Sequence, residues 1–227
     1  MNDRYAGQRR ALIGTMQDRG IRDLNVLRAF DQVHRHAFIP EALRHRSYED
    51  APVPIGFGQT ASQPSLQALY MQVLDLRSTD KVLEVGTGCG FQTAVLAQLV
   101  DRVYSVERIR ELAMRAREHL DGMRISNVAI LVGDGTIGWS RYAPYDAILV
   151  AAGGPDVPRP LLEQMADGGR MLIPIGGRDM QRLVLVTRQG DRYEQREVTE
   201  CTFVPLLGRF GWTDEPSAPP SGFARGG

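Results

Sequence analysis

The stretch Lys81-Val82-Leu83-Glu84-Val85-Gly86-Thr87-Gly88-Cys89-Gly90-Phe91 decides the reading of this chain. A short apolar run leads into glycines at alternate positions, and Gln92 to Leu99 follows with helical composition. A buried strand, a tight turn and a helix are therefore expected in that order. Glycine at 86, 88 and 90 lets the backbone turn sharply and approach a ligand without a Cβ collision. In open α/β sheets such a turn sits beyond the carboxyl ends of the strands, where ligands bind.

Working outward toward the C-terminus, strands are expected over 102–106, 128–132 and 146–150, with helices over 108–120 and 160–165. That alternation predicts a parallel sheet covered on both faces. Segments 170–175, 183–187 and 192–204 then read as strands without intervening helices, separated by the turn signals Gly176-Gly177 and Gln189-Gly190-Asp191. The fold class is α/β: a doubly wound, mostly parallel, seven-stranded Rossmann-like sheet with an antiparallel C-terminal edge. Toward the N-terminus, residues 1 to about 50 read as short helices. Asp23 or Asn25 can cap a segment whose Val26, Leu27, Phe30 and Val33 share a face. Residues 52–64, rich in Gly, Pro, Gln and Ser, form a loop too long to be a plain connector. Pro64 suits the first turn of a helix running to about Leu76. Residues 1–212 are read as one domain, and the Pro- and Gly-rich tail 213–227 as disordered.

The 227 residues carry 27 basic and 27 acidic side chains, a formal net charge of zero. That balance argues against a dedicated nucleic-acid partner. No run approaches the roughly 18 apolar residues of a membrane span, and Met1-Asn2-Asp3-Arg4-Tyr5 lacks the apolar core of a secretory signal. Two cysteines, Cys89 and Cys201, do not make a disulfide framework, and no Cys/His spacing suggests a metal. A monomer in a reducing cytoplasm is the expectation. His34 and His36 are expected to serve packing or the surface.

Three acids narrow the ligand of the glycine turn. Glu84 stands two residues before Gly86, where a carboxylate repels a pyrophosphate but suits a cofactor with a cationic amino-acid end. Dinucleotide fingerprints need a third glycine where this chain has Phe91. Glu107, closing the next strand, can accept hydrogen bonds from ribose hydroxyls. Asp134, in Gly133-Asp134-Gly135, can accept from an adenine amino group, although an Asp-Gly turn needs no ligand. Together Glu84, Gly86, Thr87, Gly88, Gly90, Glu107, Asp134 and Gly135 fit S-adenosylmethionine better than NAD.

The chain resembles the protein-L-isoaspartate O-methyltransferase family from about Leu24 to Leu207. Arg35-His36-Ala37-Phe38-Ile39-Pro40, Tyr48-Glu49-Asp50 and Leu83 to Gly90 carry the resemblance. So do Gly133-Asp134-Gly135, Ala143 to Ile148, Gly168 to Gly176 and Phe203-Val204-Pro205-Leu206. Pro54 to Pro64, and within it Gln59-Thr60-Ala61-Ser62-Gln63-Pro64, is the family-specific part. The resemblance implies a repair enzyme that moves the donor's methyl group to the free α-carboxylate of isoaspartyl residues in damaged proteins and peptides, the ester then collapsing to a succinimide. It implies an active-site role for Ser62 and places Gln59, Thr60, Ala61 and Ser62 along the donor and acceptor cleft. A carboxylate is already a nucleophile at neutral pH, so the work left is alignment. A hydroxyl at Ser62 can orient it; read without the resemblance, Ser62 is an N-cap of the helix holding Pro64. Ser65 and Ala61 stand where relatives carry larger side chains. The rival readings are a homologue that esterifies ordinary aspartate during peptide maturation, a non-catalytic S-adenosylmethionine-binding module, and a nicotinamide dehydrogenase.

Overall fold

The computed structural model describes residues 4–213. The tail read as disordered lies, beyond Thr213, outside the described residues.

The sheet grows from its apolar strands. β3 (Lys81–Val85), β4 (Arg102–Glu107), β5 (Val128–Val132), β6 (Tyr145–Val150), β7 (Met165–Gly176), β8 (Gln181–Gln189) and β9 (Arg192–Cys201) form one seven-stranded sheet in the order β5-β4-β3-β6-β7-β8-β9. Pairings are parallel from β5 through β7 and antiparallel at β7–β8 and β8–β9. The expected architecture and the antiparallel edge are both present. The chain runs β3, β4, β5 to one side and returns to the other side of β3 as β6. The switch point therefore lies between β3 and β6, where open sheets of this kind hold ligands.

Helices α4 (Phe91–Leu99) and α5 (Arg110–Gly122) connect the first strands, and α6 (Arg159–Glu163) precedes β7. β7 starts at Met165, so the helix expected over 160–165 is shorter: it ends at Glu163 with Gln164 as its C-cap. Alternate residues of β3 serve two apolar layers. Val82 joins the layer beneath α4, while Leu83 and Val85 join the opposite one.

The N-terminal third packs as a cap over α4. α1 (Ala6–Asp18) buries Leu12 and Met16. In α2 (Leu24–Gln32), Val26, Leu27, Ala29 and Phe30 are buried and Asp23 caps the start, accepting from Asn25 N at 2.8 Å and Val26 N at 3.2 Å. Two 3-10 turns, Arg35–Ala37 and Glu41–Arg46, follow. The segment expected to be a loop contains a hairpin, β1 (Val53–Gly56) with β2 (Gln59–Ala61), leading into α3 (Pro64–Val73). Strands of 4 and 3 residues are too short to show a period. No helix among the described residues is long and apolar enough to cross a membrane.

Candidate active site

The glycine turn closes on itself. Gly86, Gly88 and Gly90 all have positive φ, at 96°, 55° and 87°. Gly86 N donates to Val106 O at 2.9 Å, Gly88 N to Glu107 Oε2 at 2.8 Å and Gly90 N to Thr87 O at 2.9 Å. A phosphate-binding turn needs such amides free to point at the ligand. Here they are satisfied within the protein.

Beside this turn lies a cavity of about 160 Å³. Val85 and Gly86 at the end of β3, Glu107 at the end of β4, Gly135, and Leu206 and Leu207 beyond β9 line it, and Gly58 and Gln59 of the hairpin cover it. Glu107 spans the turn, its other oxygen accepting from Ile109 N at 2.9 Å. Each carboxylate oxygen keeps a lone pair for a ligand hydroxyl. Apolar walls, a bare glycine backbone and a carboxylate suit a nucleoside with a free ribose diol. An added Cβ at Gly135 would come within 2.3 Å of Val85 Cγ1, so only glycine keeps that wall in place.

Ser62 faces a second, larger cavity of about 570 Å³ between α3 and the segment 199–204, which Arg19, Thr60 and Ser65 also line. Strand β2 separates the two: Gln59 lines the first cavity and Thr60 the second, as the alternation of a strand requires. Val204 lines both and forms the remaining partition.

Of the residues singled out from sequence, Gln59, Gly86, Glu107 and Gly135 thus meet at the first cavity, and Thr60 and Ser62 at the second. Ala61 instead packs into the core, whereas Ser65 lies on the wall of the second cavity. Thr87 is buried with its hydroxyl 2.6 Å from Ser105 Oγ. Gly90 packs against α5, where an added Cβ would lie 3.0 Å from Ala116 Cβ.

Neither Glu84 nor Asp134 lines the first cavity, and both make their hydrogen bonds within the protein. Glu84 sits on the face of β3 that carries Val82, fully buried beneath α4. Its carboxylate accepts from Gln92 Nε2 at 3.0 Å, Thr93 Oγ1 at 2.5 Å and Ser105 Oγ at 2.7 Å. Burial pushes its pKa up to about 7, against the three hydrogen bonds. Asp134 Oδ1 caps the turn Gly135–Ile137 through Thr136 N at 2.9 Å, and Oδ2 accepts from Arg209 N at 2.8 Å. It thereby ties the chain after β9 to the end of β5.

Ser62 is not an N-cap. The N-cap of α3 is Gln63, with no side-chain cap of its own, and Asp50 supplies the acceptor from a distance. Asp50 Oδ1 takes Ser65 N at 2.8 Å, and Oδ2 takes Ser65 Oγ at 2.8 Å and Gln63 Nε2 at 3.0 Å. No hydrogen bond is made by the Ser62 hydroxyl among the described residues, so it is available to the cavity.

Sequence reading assigned no role to Asp50, to Arg35, or to the 204–207 segment that walls the first cavity. Arg35, between two histidines, is fully buried. The motif text around these residues was the available signal, but it carries no geometry.

A glycine turn whose amides are satisfied within the protein, a carboxylate in the adjoining cavity and a second chamber lined by Ser62 fit the class of S-adenosylmethionine-dependent methyltransferases. The family model described as protein-L-isoaspartate(D-aspartate) O-methyltransferase matches residues 7–211, and the chain belongs to that family. A protein-L-isoaspartate O-methyltransferase of Geobacter metallireducens is 52% identical over 198 residues, covering 87% of this chain and 92% of the relative. One from Syntrophus aciditrophicus is 48% identical over 217 residues, covering 94% and 100%. A solved protein-L-isoaspartate O-methyltransferase superposes with a TM-score of 0.81 at 29% identity, over 89% of this chain and 67% of the other. The Plasmodium falciparum homologue, a putative protein-L-isoaspartate O-methyltransferase crystallised with S-adenosyl-L-homocysteine, superposes at 0.76 with 25% identity, over 87% and 97%.

Proposed function

We infer that this chain is a protein-L-isoaspartate O-methyltransferase. It transfers the methyl group of S-adenosylmethionine to the free α-carboxylate of L-isoaspartyl residues in damaged proteins and peptides. The observation that carries the reading is the pair of adjoining cavities divided by β2 and Val204, one built for a nucleoside donor and one exposing Ser62.

The donor supplies an activated methyl group on a sulfonium. Glu107 holds the ribose hydroxyls, and Gly86 and Gly135 leave backbone bare against the nucleoside. Glu84 acts from below, fixing β3 to α4 and β4 so that the turn keeps its shape. Asp134 orders the Gly135 turn and the wall beyond β9. On the acceptor side, Ser62 donates its hydroxyl hydrogen to one carboxylate oxygen and leaves the other directed at the methyl carbon. No general base is required, because the attacking oxygen is already anionic. Catalysis is alignment of two bound reactants, an effect that can supply on the order of 7–11 kcal/mol. The second cavity admits a chain segment, which suits a substrate in a flexible stretch of a protein.

Residues up to 212 act as one catalytic unit, working as a monomer on peptide chains in the cytoplasm, without nucleic-acid or membrane partners. Both thiols are buried and unpaired, as suits that compartment. Methyl-labelled donor and an isoaspartyl peptide test the chemistry. The label should be lost as methanol in mild alkali, because the product is an ester that collapses to a succinimide. Alkali-stable label would mean methylation at nitrogen or carbon and would overturn the reading.

A further inference from the structure

Among the described residues the Ser62 hydroxyl has no hydrogen bond to fix it, so its direction depends on the backbone that carries it. That backbone is gripped by a buried cation. Arg35 Nη2 donates to Ser62 O at 3.0 Å and lies 3.4 Å from Ala61 O, while Nη1 donates to Ser47 O at 2.7 Å. The guanidinium sits over the ring of Phe91, 5.6 Å from its centroid. Phe91 opens α4 directly after Gly90, on the donor side of the site. No carboxylate reaches ion-pair distance of Arg35 among the described residues, and its Nε has no partner. A buried charge without an ion pair is costly, and burial lowers the pKa of Arg35 to about 10, which still leaves it charged at neutral pH. The guanidinium supplies donors to the Ser47 and Ser62 carbonyls that no apolar residue could offer, so filling of the core alone does not account for an arginine. Asp50 grips the same segment just beyond, through Gln63 and Ser65.

We propose that Arg35 is a positioning residue for methyl transfer: it clamps the Ser62 carbonyl to the start of α4 and so sets the acceptor hydroxyl against the donor loop. The inference rests on the methyl-transfer reading with Ser62 at the acceptor. Lysine cannot replace the fork, because a single ammonium does not offer the planar pair of donors that spans Ser47 O and Ser62 O.

Arg35→Met keeps the length and apolar stem, and Arg35→Lys keeps the charge. Both should lower kcat by on the order of 10- to 100-fold, with the dissociation constant for S-adenosylhomocysteine changed less than about threefold, at temperatures where thermal melts show the protein folded. In a Ser62→Ala background, Arg35→Lys should cost less than about threefold more, because residues that act through one another do not add. Full additivity with Ser62→Ala, or equal losses of kcat and donor affinity, would overturn the proposal. Amide hydrogen exchange of the peptide spanning Thr60 to Gln63 supplies a readout that needs no turnover. Faster exchange in Arg35→Lys supports the clamp, and unchanged exchange contradicts it. Wild-type protein that fails to methylate an isoaspartyl peptide would sink the functional reading separately, leaving the exchange result to judge the clamp.

Discussion

Glu84 illustrates what one side chain in a motif does and does not reveal. An acid two residues before a glycine turn reads identically whether it faces a ligand or the core. The choice is made by strand alternation: Glu84 shares the face of Val82, and that face lies under α4. The serine and threonine hydroxyls that receive its carboxylate come from β4 and α4, 21 and 9 residues away, and no local pattern announces them. Its pKa of about 7 in the fold, against an ordinary 4.5, has a defined sign. The folded state holds the proton more tightly, so this contribution to stability is fully present below about pH 4.5 and is lost as pH rises through 7. Urea titrations should show the wild type losing stability across that window, by up to about 3 kcal/mol. Glu84→Gln should flatten the slope; an unchanged slope would show that the group does not titrate there. Glu107 was legible for the opposite reason: an acid closing a parallel strand points at the crevice by position alone.

At the scale of elements, the turn between β3 and α4 is where sequence and packing agree most closely. Gly90 needs both its φ of 87° and its missing Cβ, since Ala116 Cβ and Cα would lie 3.0 and 3.2 Å from an added methyl. Gly90→Ala should destabilise by about 1–3 kcal/mol from backbone strain alone, seen as a fall in thermal midpoint, and an unchanged midpoint would mean that α4 and α5 separate freely. The β1–β2 hairpin was not legible. Its two strands fall in a Gly- and Pro-rich stretch, and its tip, Gly56-Phe57-Gly58, carries positive φ throughout. What holds Phe57 down is Arg115 of α5, with the guanidinium 5.3 Å from the ring centroid, a contact across 58 positions of chain. The cap of α3 escaped notice likewise, because Asp50 reaches it from 15 residues upstream. Local rules assign a cap to the nearest hydroxyl, which is Ser62, and the fold reserves that hydroxyl for the cavity instead.

For the molecule as a whole, the strand–helix rhythm and its breakdown after residue 170 were enough to define the sheet, its direction and its edge. Buried parallel strands need covering helices, and the chain supplies them in alternation. The two cavities are another matter. They exist because β2, from the N-terminal cap, and Val204, from beyond the last strand, converge over the ends of β3 and β4. Neither segment carries a periodic signal, and their meeting is set by the packing of the cap on α4 rather than by any local preference. Gly86, Glu107 and Gly135 could therefore be grouped at one cavity from the residues, while the acceptor half was readable only through resemblance. That half carries the central claim, since an enzyme acting on ordinary aspartate would share every donor contact. The most direct measurement offers the protein labelled S-adenosylmethionine with two peptides of one sequence, one containing L-isoaspartate and the other L-aspartate. The account predicts rapid labelling of the isoaspartyl peptide and labelling of its twin no faster than a blank without enzyme. Equal labelling of the two, or labelling confined to the aspartyl peptide, would contradict it.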